Sequence, residues 1–260
     1  MRILVTNDDG IHAPGLLAAE RIARTLSDDV WVVAPETDQS GVSHSLSLND
    51  PLRLREVGEK RYAVKGTPTD CVIMAVKHIM AGEGPDLVLS GVNRGQNVAE
   101  DVGYSGTIAG AMEGTILGIP SVALSQSYGP ESRHNVHYET AEAHAPGIIR
   151  TILEEGLRPG SLINVNFPNR SPDQVRGIRV TAQGRRDQEI LTIDPRHDGR
   201  GNPYYWIAFV RNRHRIENGT DLWALAEGYV SVTPLEINMT DEVTMTRLAA
   251  VFAGDRAPGT

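Results

Sequence analysis

Two adjacent carboxylates, Asp8 and Asp9, are the residues whose type and spacing most directly suggest chemistry. They follow the apolar run Ile3-Leu4-Val5, which predicts a buried strand, so both charges fall where that strand ends. Like charges on neighbouring residues repel each other, and a divalent cation would turn this repulsion into a binding site. A second interpretation stays open, in which Asn7-Asp8-Asp9-Gly10 is a polar turn that places its glycine at positive φ.

Further oxygen donors occur in loops that follow other predicted strands. Ser40 offers a hydroxyl group, and Asn93 and Asn97 offer carboxamides in a glycine-rich turn. Carboxylate, hydroxyl and carboxamide oxygens suit a hard cation such as Mg²⁺ or Mn²⁺. A zinc site would instead favour His or Cys at motif spacing, which these loops lack. We therefore predict a hard-cation site if the loops meet in space.

The segment Tyr104-Ser105-Gly106-Thr107 indicates an anion site, because it opens a predicted helix. The first N–H groups of a helix have no partner within the helix and carry partial positive charge, so they bind phosphate well. The motif GxxxxGK[ST] is absent, so the segment is not a P-loop. An alternative stays open, in which Ser105 serves only as a helix cap.

Composition excludes several classes of function. The net charge of −8 argues against a protein that coats a nucleic-acid polymer, since that mode depends on Lys and Arg neutralising phosphates. Cys71 is the only cysteine, which excludes an intrachain disulfide and CxxC metal sites. The first apolar run is too short for a signal peptide, and no stretch approaches membrane-spanning length. We therefore expect a cytoplasmic protein without a membrane partner.

The predicted elements would bring these loops together. Short apolar runs that read as strands alternate with helical patterns through the first part of the chain, which predicts a mainly parallel sheet with helices on both faces. This is a Rossmann-like three-layer α/β/α fold. The carboxyl ends of the strands in such a sheet form the ligand crevice. The predicted strands cover 2–6, 30–34, 86–90, 119–125 and 162–167, and the helices 14–26, 71–80, 106–118 and 138–155.

The pattern changes near residue 177, where predicted strands follow one another without helices between them. We interpret residues 184–219 as a hairpin extension of the sheet, with a mobile surface loop as the alternative. A strand over 229–235 and a terminal helix over 241–253 follow. We treat residues 1–260 as a single α/β domain, with 236–260 as a C-terminal segment.

The chain resembles the SurE family, the survival protein E nucleotidases. The matching segments occur in the order of the family and span most of the chain. They are 3–16 (ILVTNDDGIHAPGL), 34–41 (APETDQSG), 66–71 (GTPTDC), 85–95 (PDLVLSGVNRG), 104–107 (YSGT), 164–168 (NVNFP) and 228–235 (GYVSVTPL). The resemblance implies a 5′-nucleotidase that depends on one divalent metal ion per subunit, Mg²⁺ or Mn²⁺. It also implies hydrolysis of nucleoside 3′-monophosphates and, in some members, of short polyphosphate.

The resemblance also implies roles for individual residues. The metal ligands would be Asp8, Asp9, Ser40 and Asn93, with both aspartates catalytic. Phosphate would bind near Asn97 and near Ser105, Gly106 and Thr107. Ala99 stands where the family usually has glycine, so a backbone conformation closed to alanine would shift the loop that carries Asn97.

The family further implies a homodimer or homotetramer, in which the hairpin and the C-terminal segment are exchanged between subunits. Two alternatives to metal-assisted hydrolysis remain. A nucleotide sensor would bind metal and substrate without turnover. A covalent route would make Asp8 the nucleophile, but the DxDx[TV] pattern of enzymes that use this route is absent.

Overall fold

The computed structural model describes residues 1–132, 135–186, 191–209 and 216–253. Its first strand, β1 (Arg2–Thr6), is buried on both faces, as the unbroken apolar run predicts. Ile3 and Val5 pack into one hydrophobic cluster and Leu4 into another, because successive side chains of a strand point to opposite faces of the sheet. The central strand therefore needs a helical layer on each side.

Within the described residues, the sheet has nine strands in the order β3-β4-β2-β1-β5-β6-β7-β11-β8. Its central strands are parallel, while β3 pairs with β4, and β11 with β7, in the antiparallel direction. The strands after β1 are β2 (Asp29–Pro35), β3 (Arg53–Gly58), β4 (Arg61–Lys65), β5 (Leu87–Arg94), β6 (Ser121–Gln126), β7 (Ser161–Phe167), β8 (Ile178–Val180) and β11 (Val230–Glu236).

Helices cover both faces of the sheet, which confirms the three-layer α/β/α prediction. The pairs α1 with α4 and α2 with α3 are in contact, and each pair packs on the central strands. A π-helical turn, Ala75–Ile79, continues α2, and 3₁₀ segments cover Ala99–Gly103 and Pro172–Gln174. The helices are α1 (Pro14–Arg24), α2 (Pro68–Met74), α3 (Gly106–Ile116), α4 (Tyr138–Glu155), α5 (Asp221–Ala226) and α6 (Glu242–Phe252).

Local signals account for several element ends. Thr67 caps α2 in a capping box, since its hydroxyl accepts from the Asp70 N–H while the Asp70 carboxylate accepts from the Thr67 N–H. α4 runs without a break through Pro146, although a proline inside a helix usually bends or interrupts it. The prediction missed β3, β4 and α5. β3 is almost wholly exposed, so it lacks the apolar pattern by which a strand is recognised.

Glycines spaced four residues apart allow α3 to pack closely on the sheet. A Cβ atom at Gly110 would lie 2.8 Å from Ser90 Oγ, and one at Gly114 would lie 2.4 Å from Ser121 Oγ. Gly118 differs, because it follows the helix at φ +80° with open space around its Cα. It therefore ends the turn after α3 and takes no part in the packing.

The hairpin consists of β9 (Leu191–His197) and β10 (Pro203–Phe209), which pair in the antiparallel direction. It matches the predicted extension over 184–219, of which residues 187–190 and 210–215 lie outside the described part of the chain. Its side chains Tyr205 and Trp206 are exposed, and so are Val243 and Phe252 of α6. Residues 254–260 of the C-terminal segment also lie outside the described part. In the described ranges, no helix has both the length and the apolar character needed to span a bilayer.

Candidate functional site

Asp8 is the more deeply buried member of the carboxylate pair, with 4% of its surface exposed. Burial, followed by the charge of Asp9, raises the pKa of Asp8 from 3.8 to about 7. Its Oδ1 accepts a hydrogen bond from Thr107 Oγ1 at 2.5 Å, and its backbone carbonyl accepts one from the Gln39 N–H at 2.8 Å. The residue is therefore held between α3 and the loop that follows β2.

Asp9 turns toward the neighbouring strand β5. Its Oδ2 accepts a hydrogen bond from the Arg94 N–H at 3.2 Å, and burial is the main cause of its raised pKa. Asn93 directly precedes this contact and is the next-to-last residue of β5, although we predicted a loop after residue 90. The Asn93 amide donates to the Gly95 carbonyl at 2.9 Å, so its Oδ1 is left as the acceptor that a cation could use.

Ser40 is exposed in the loop after β2, one residue beyond the Gln39 contact with Asp8. Its hydroxyl and its N–H both donate to Asp38 Oδ1, at 2.6 and 2.7 Å. The charge of Asp38 in turn raises the pKa values of Asp8 and Asp9. The loop thus adds a third carboxylate to the neighbourhood, which the sequence analysis did not select.

The N-terminus of α3 lies directly against Asp8. A Cβ atom at Gly106 would be 2.8 Å from Asp8 Cβ, so only glycine fits this position without a shift. Ser105 caps the helix, since its Oγ accepts from the Ile108 N–H at 3.1 Å, and its own O–H remains able to donate. The hydroxyl of Thr107 already donates its hydrogen bond to Asp8. The groups at this end that could donate to an anion are then the N–H groups of Gly106 and Thr107, together with the Ser105 hydroxyl.

Asn97 is held by β6 and β7. Its N–H donates to Asn166 Oδ1 at 2.8 Å, and its side-chain amide donates to Ser125 Oγ at 2.9 Å. Its carbonyl accepts from the side-chain amides of Asn164 and Asn166, at 2.7 and 3.2 Å. These buried contacts fix the backbone of Asn97, so any role toward phosphate falls to the second N–H of its side-chain amide or to its immediate neighbours.

Ala99 adopts φ +52°, the left-handed conformation that the family's glycine suggested. The chain accepts this conformation because both polar groups of the residue are satisfied. Its N–H donates to Asp221 Oδ2 at 2.9 Å, and its carbonyl accepts from Gln183 Nε2 at 2.7 Å. The left-handed region costs an alanine about 1–2 kcal/mol, which these two bonds can offset. The loop is therefore held without glycine.

The donor set fits a divalent cation. Burial raises the pKa of both aspartates, and the charge of Asp9 raises that of Asp8 further, so a positive charge nearby would favour both anions. Within the described ranges, no cluster of three or more His, Cys, Asp or Glu side chains is arranged to hold a metal. A cation here would therefore need the neutral oxygens of Ser40 and Asn93 to complete its coordination, which is chemistry that suits Mg²⁺ or Mn²⁺.

Several residues of the site escaped the sequence analysis. They are Arg94, Tyr128 and Tyr138. The charges of Asp9 and Arg94 act on Tyr138, and the guanidinium of Arg94 lies 5.7 Å from the centre of the Tyr128 ring. Burial, and secondarily the charge of Asp9, raises the pKa of Tyr138. Asp38 stands inside a segment that matched the family, so closer attention to that motif could have found it. No local signal marks the two tyrosines.

Comparison with known proteins gives a consistent result. The family model described as Survival protein SurE matches residues 3–190. Proteins named 5′-nucleotidase SurE are similar over nearly their whole length. The protein from Azorhizobium caulinodans is 71% identical over 97% of this chain and 99% of its own. The one from Rhodopseudomonas palustris is 64% identical over 96% and 98%. The crystal structure of the SurE protein from Aquifex aeolicus has a TM-score of 0.82 at 40% identity, over 96% of this chain and 99% of that one.

Proposed function

Because the chain belongs to the SurE family, we propose that it is a 5′-nucleotidase, which hydrolyses nucleoside 5′-monophosphates to nucleoside and phosphate. The observation that carries the proposal is the direct contact between Asp8 and the N-terminus of α3. It joins a carboxylate suited to a cation with N–H groups suited to a phosphate, and a phosphomonoester needs both.

A divalent cation, Mg²⁺ or Mn²⁺, one per subunit, would bind Asp8, Asp9, Ser40 and Asn93. When bound, it would supply positive charge to the phosphoryl oxygens and lower the pKa of a water molecule. Asp8 and Asp9 would orient that water molecule, and one of them would accept its proton.

The remaining residues would bind and orient the ester. The N–H groups of Gly106 and Thr107 and the hydroxyl of Ser105 would donate to the phosphoryl oxygens as their charge develops. Asn97 would support the same group from the side of β6 and β7. Because the aspartates and the cation nearly cancel in charge, the positive end of α3 would contribute to drawing in the phosphate.

The same site would accept nucleoside 3′-monophosphates and short polyphosphate, since the contacts proposed so far hold the phosphoryl group and not the base. Assembly into a homodimer or homotetramer would cover the exposed apolar side chains of β10 and α6. Sedimentation of the purified protein tests this part of the proposal, and a monomer at micromolar concentration would contradict it.

Phosphate release from AMP tests the function. We expect turnover with Mg²⁺ or Mn²⁺, none after chelation, and recovery when the metal is returned. Asp8→Asn should remove most of the activity, whereas Asp28→Asn, an exposed aspartate before β2, should not. A sensor without turnover would bind AMP and release no phosphate. A panel with 3′-AMP and tripolyphosphate measures the wider substrate range.

A further inference from the structure

We propose that the base of the hairpin extension, above all Arg186, belongs to the phosphate site. There Arg186 balances acidic charge beside the anion-binding end of α3, while its neighbours position the loop of Asn97. This inference rests on the proposed function, because it concerns the same phosphate-binding segments. It assigns the hairpin a role in substrate affinity within its own subunit, separate from any role in assembly.

The argument begins with the 3₁₀ segment Ala99–Gly103, which connects the two proposed phosphate-binding elements. Asn97 lies just before it, and Ser105 lies just after it. Asp101 is inside the segment, and its carbonyl accepts from the Tyr104 N–H at 3.0 Å. At the rise of a 3₁₀ helix, the four residues from Asp101 to Ser105 span about 8 Å, which equals the screening length at physiological ionic strength and is well below that at low salt.

Acidic charge is therefore close to the place where a phosphate would bind. Glu100 and Asp101 occupy consecutive positions, and their electrostatic effect on Arg186 favours its charged form. Left alone, two carboxylates at this distance would repel a phosphate dianion. A nucleotidase with this loop needs a positively charged side chain that offsets the charges of Glu100 and Asp101.

The guanidinium group of Arg186 supplies this positive charge with well-defined geometry. Its guanidinium group binds both carboxylate oxygens of Asp101, one of them at 2.7 Å. Its backbone N–H also donates to the carboxylate of Glu100, at 3.0 and 3.2 Å to the two oxygens. The side chains of Arg186 and Asp101 are only 13% and 19% exposed, so solvent screens this pair less than an ordinary surface pair.

Further hydrogen bonds from residues around Arg186 hold the same loop. Asp221, which is fully buried, accepts from the N–H groups of Ala99, Gly184 and Leu222. Gln183 donates to the Ala99 carbonyl at 2.7 Å. A side chain at Gly184 would collide with Asp221, since its Cβ would lie 2.8 Å from Oδ1. The base of the hairpin extension thus packs against the loop that carries Asn97.

The test compares Arg186→Gln and Arg186→Lys with Arg196→Gln, which removes an exposed arginine farther out on the same hairpin. Steady-state kinetics with AMP and saturating Mg²⁺ would be measured at low and high ionic strength. We expect Arg186→Gln to raise KM by about threefold or more at low salt, to change kcat little, and to approach the wild type at high salt. Arg186→Lys should recover most of the loss, and Arg196→Gln should leave KM unchanged. A rise in KM that is equal at both salt concentrations would overturn the inference.

Glu100→Gln provides an opposite test that keeps Arg186 in place. Removing a negative charge beside the site should lower KM at low salt, and this variant remains informative if Arg186→Gln fails to fold. An unchanged or higher KM would count against the inference.

Inorganic phosphate gives a readout without turnover. It should raise the Tm of the wild type and of Arg186→Lys more than that of Arg186→Gln, because lysine keeps the positive charge and glutamine does not. If the wild type releases no phosphate from AMP, the proposed function fails, and this shift alone decides the inference. If the wild type turns over AMP while Arg186→Gln and Glu100→Gln both have the same KM as Arg196→Gln, only the inference fails.

Discussion

Thr107 Oγ1 donates a hydrogen bond to Asp8 Oδ1 at 2.5 Å, although 99 positions separate the two residues in sequence. Both side chains are buried at the contact. The bond lowers the pKa of Asp8 against the larger effect of burial, so it helps keep this carboxylate ionised. The first turn of α3 thus acts on the carboxylate and on the proposed phosphate site together.

Thr107→Val should therefore impair the carboxylate while keeping the shape of the side chain. A hydrogen bond to a charged group contributes about 1.5–3 kcal/mol, so we expect kcat/KM to fall by roughly 10- to 100-fold. The acid limb of the pH–rate profile should move to higher pH, because Asp8 loses a bond that favours its charged form. Thr115→Val is the matched control, since that buried hydroxyl bonds the Ala111 carbonyl on the same helix. Equal activity in both variants would contradict the assignment.

Stability without metal should depend on pH through Asp8. Its pKa in the folded protein, about 7, lies above the ordinary 3.8, so folding favours the protonated form. The ionisation penalty is absent below about pH 4, grows as the pH rises, and is complete somewhat above pH 7. Asp8→Asn should therefore stabilise the chelated protein by a few kcal/mol at pH 8 and hardly at all near pH 4. Urea unfolding at both pH values measures this. A loss of stability at pH 8 would show that the buried charge is already compensated.

Divalent metal should make the wild type more stable than Asp8→Asn at pH 8, the reverse of the order expected without metal. Mg²⁺ or Mn²⁺ binds the folded site and not the unfolded chain, so saturating metal should raise the Tm of the wild type. Asp8→Asn and Asp9→Asn should respond weakly, while the exposed variant Asp28→Asn should respond like the wild type. Thermal melts with metal and with chelator make the comparison. A full response in both site variants would place the cation elsewhere.

Gly106→Ala should displace Asp8. The added Cβ would lie 2.8 Å from Asp8 Cβ and 3.2 Å from Pro68 Cγ, so the carboxylate or the helix end must move. We expect at least a tenfold loss of kcat/KM, because small misplacements at a reacting centre are costly. Gly147→Ala is the control, since its Cβ would point into open space within α4. It should keep activity and gain up to about 1 kcal/mol of stability from helix propensity. Unchanged activity in Gly106→Ala would show that Asp8 tolerates the shift.

Local sequence patterns were sufficient for much of the fold. The apolar run of β1, the proline at the start of α1 and the capping box of α2 all depend on residues within a few positions of one another. The same holds for the pairing of carboxylates in Asp8 and Asp9 and for the serine cap of α3. The resemblance to a family added the ligand set and the position of Ala99, where the chain departs from glycine. The metal and phosphate roles of these residues stay predictions.

Strand order and packing decided the rest, because they bring together residues that no local pattern connects. The sheet places β5 beside β1, so the backbone at Arg94 meets Asp9. It also places the amides of Asn164 and Asn166 around Asn97, although β7 lies far along the chain. β3 forms an exposed edge that carries no apolar signal. By itself, the sequence determined which side chains could bind a cation and a phosphate. Only the tertiary structure determined that Thr107 donates a hydrogen bond to Asp8 and that Arg186 forms an ion pair with Asp101. Such contacts depend on the path of the chain between the two residues.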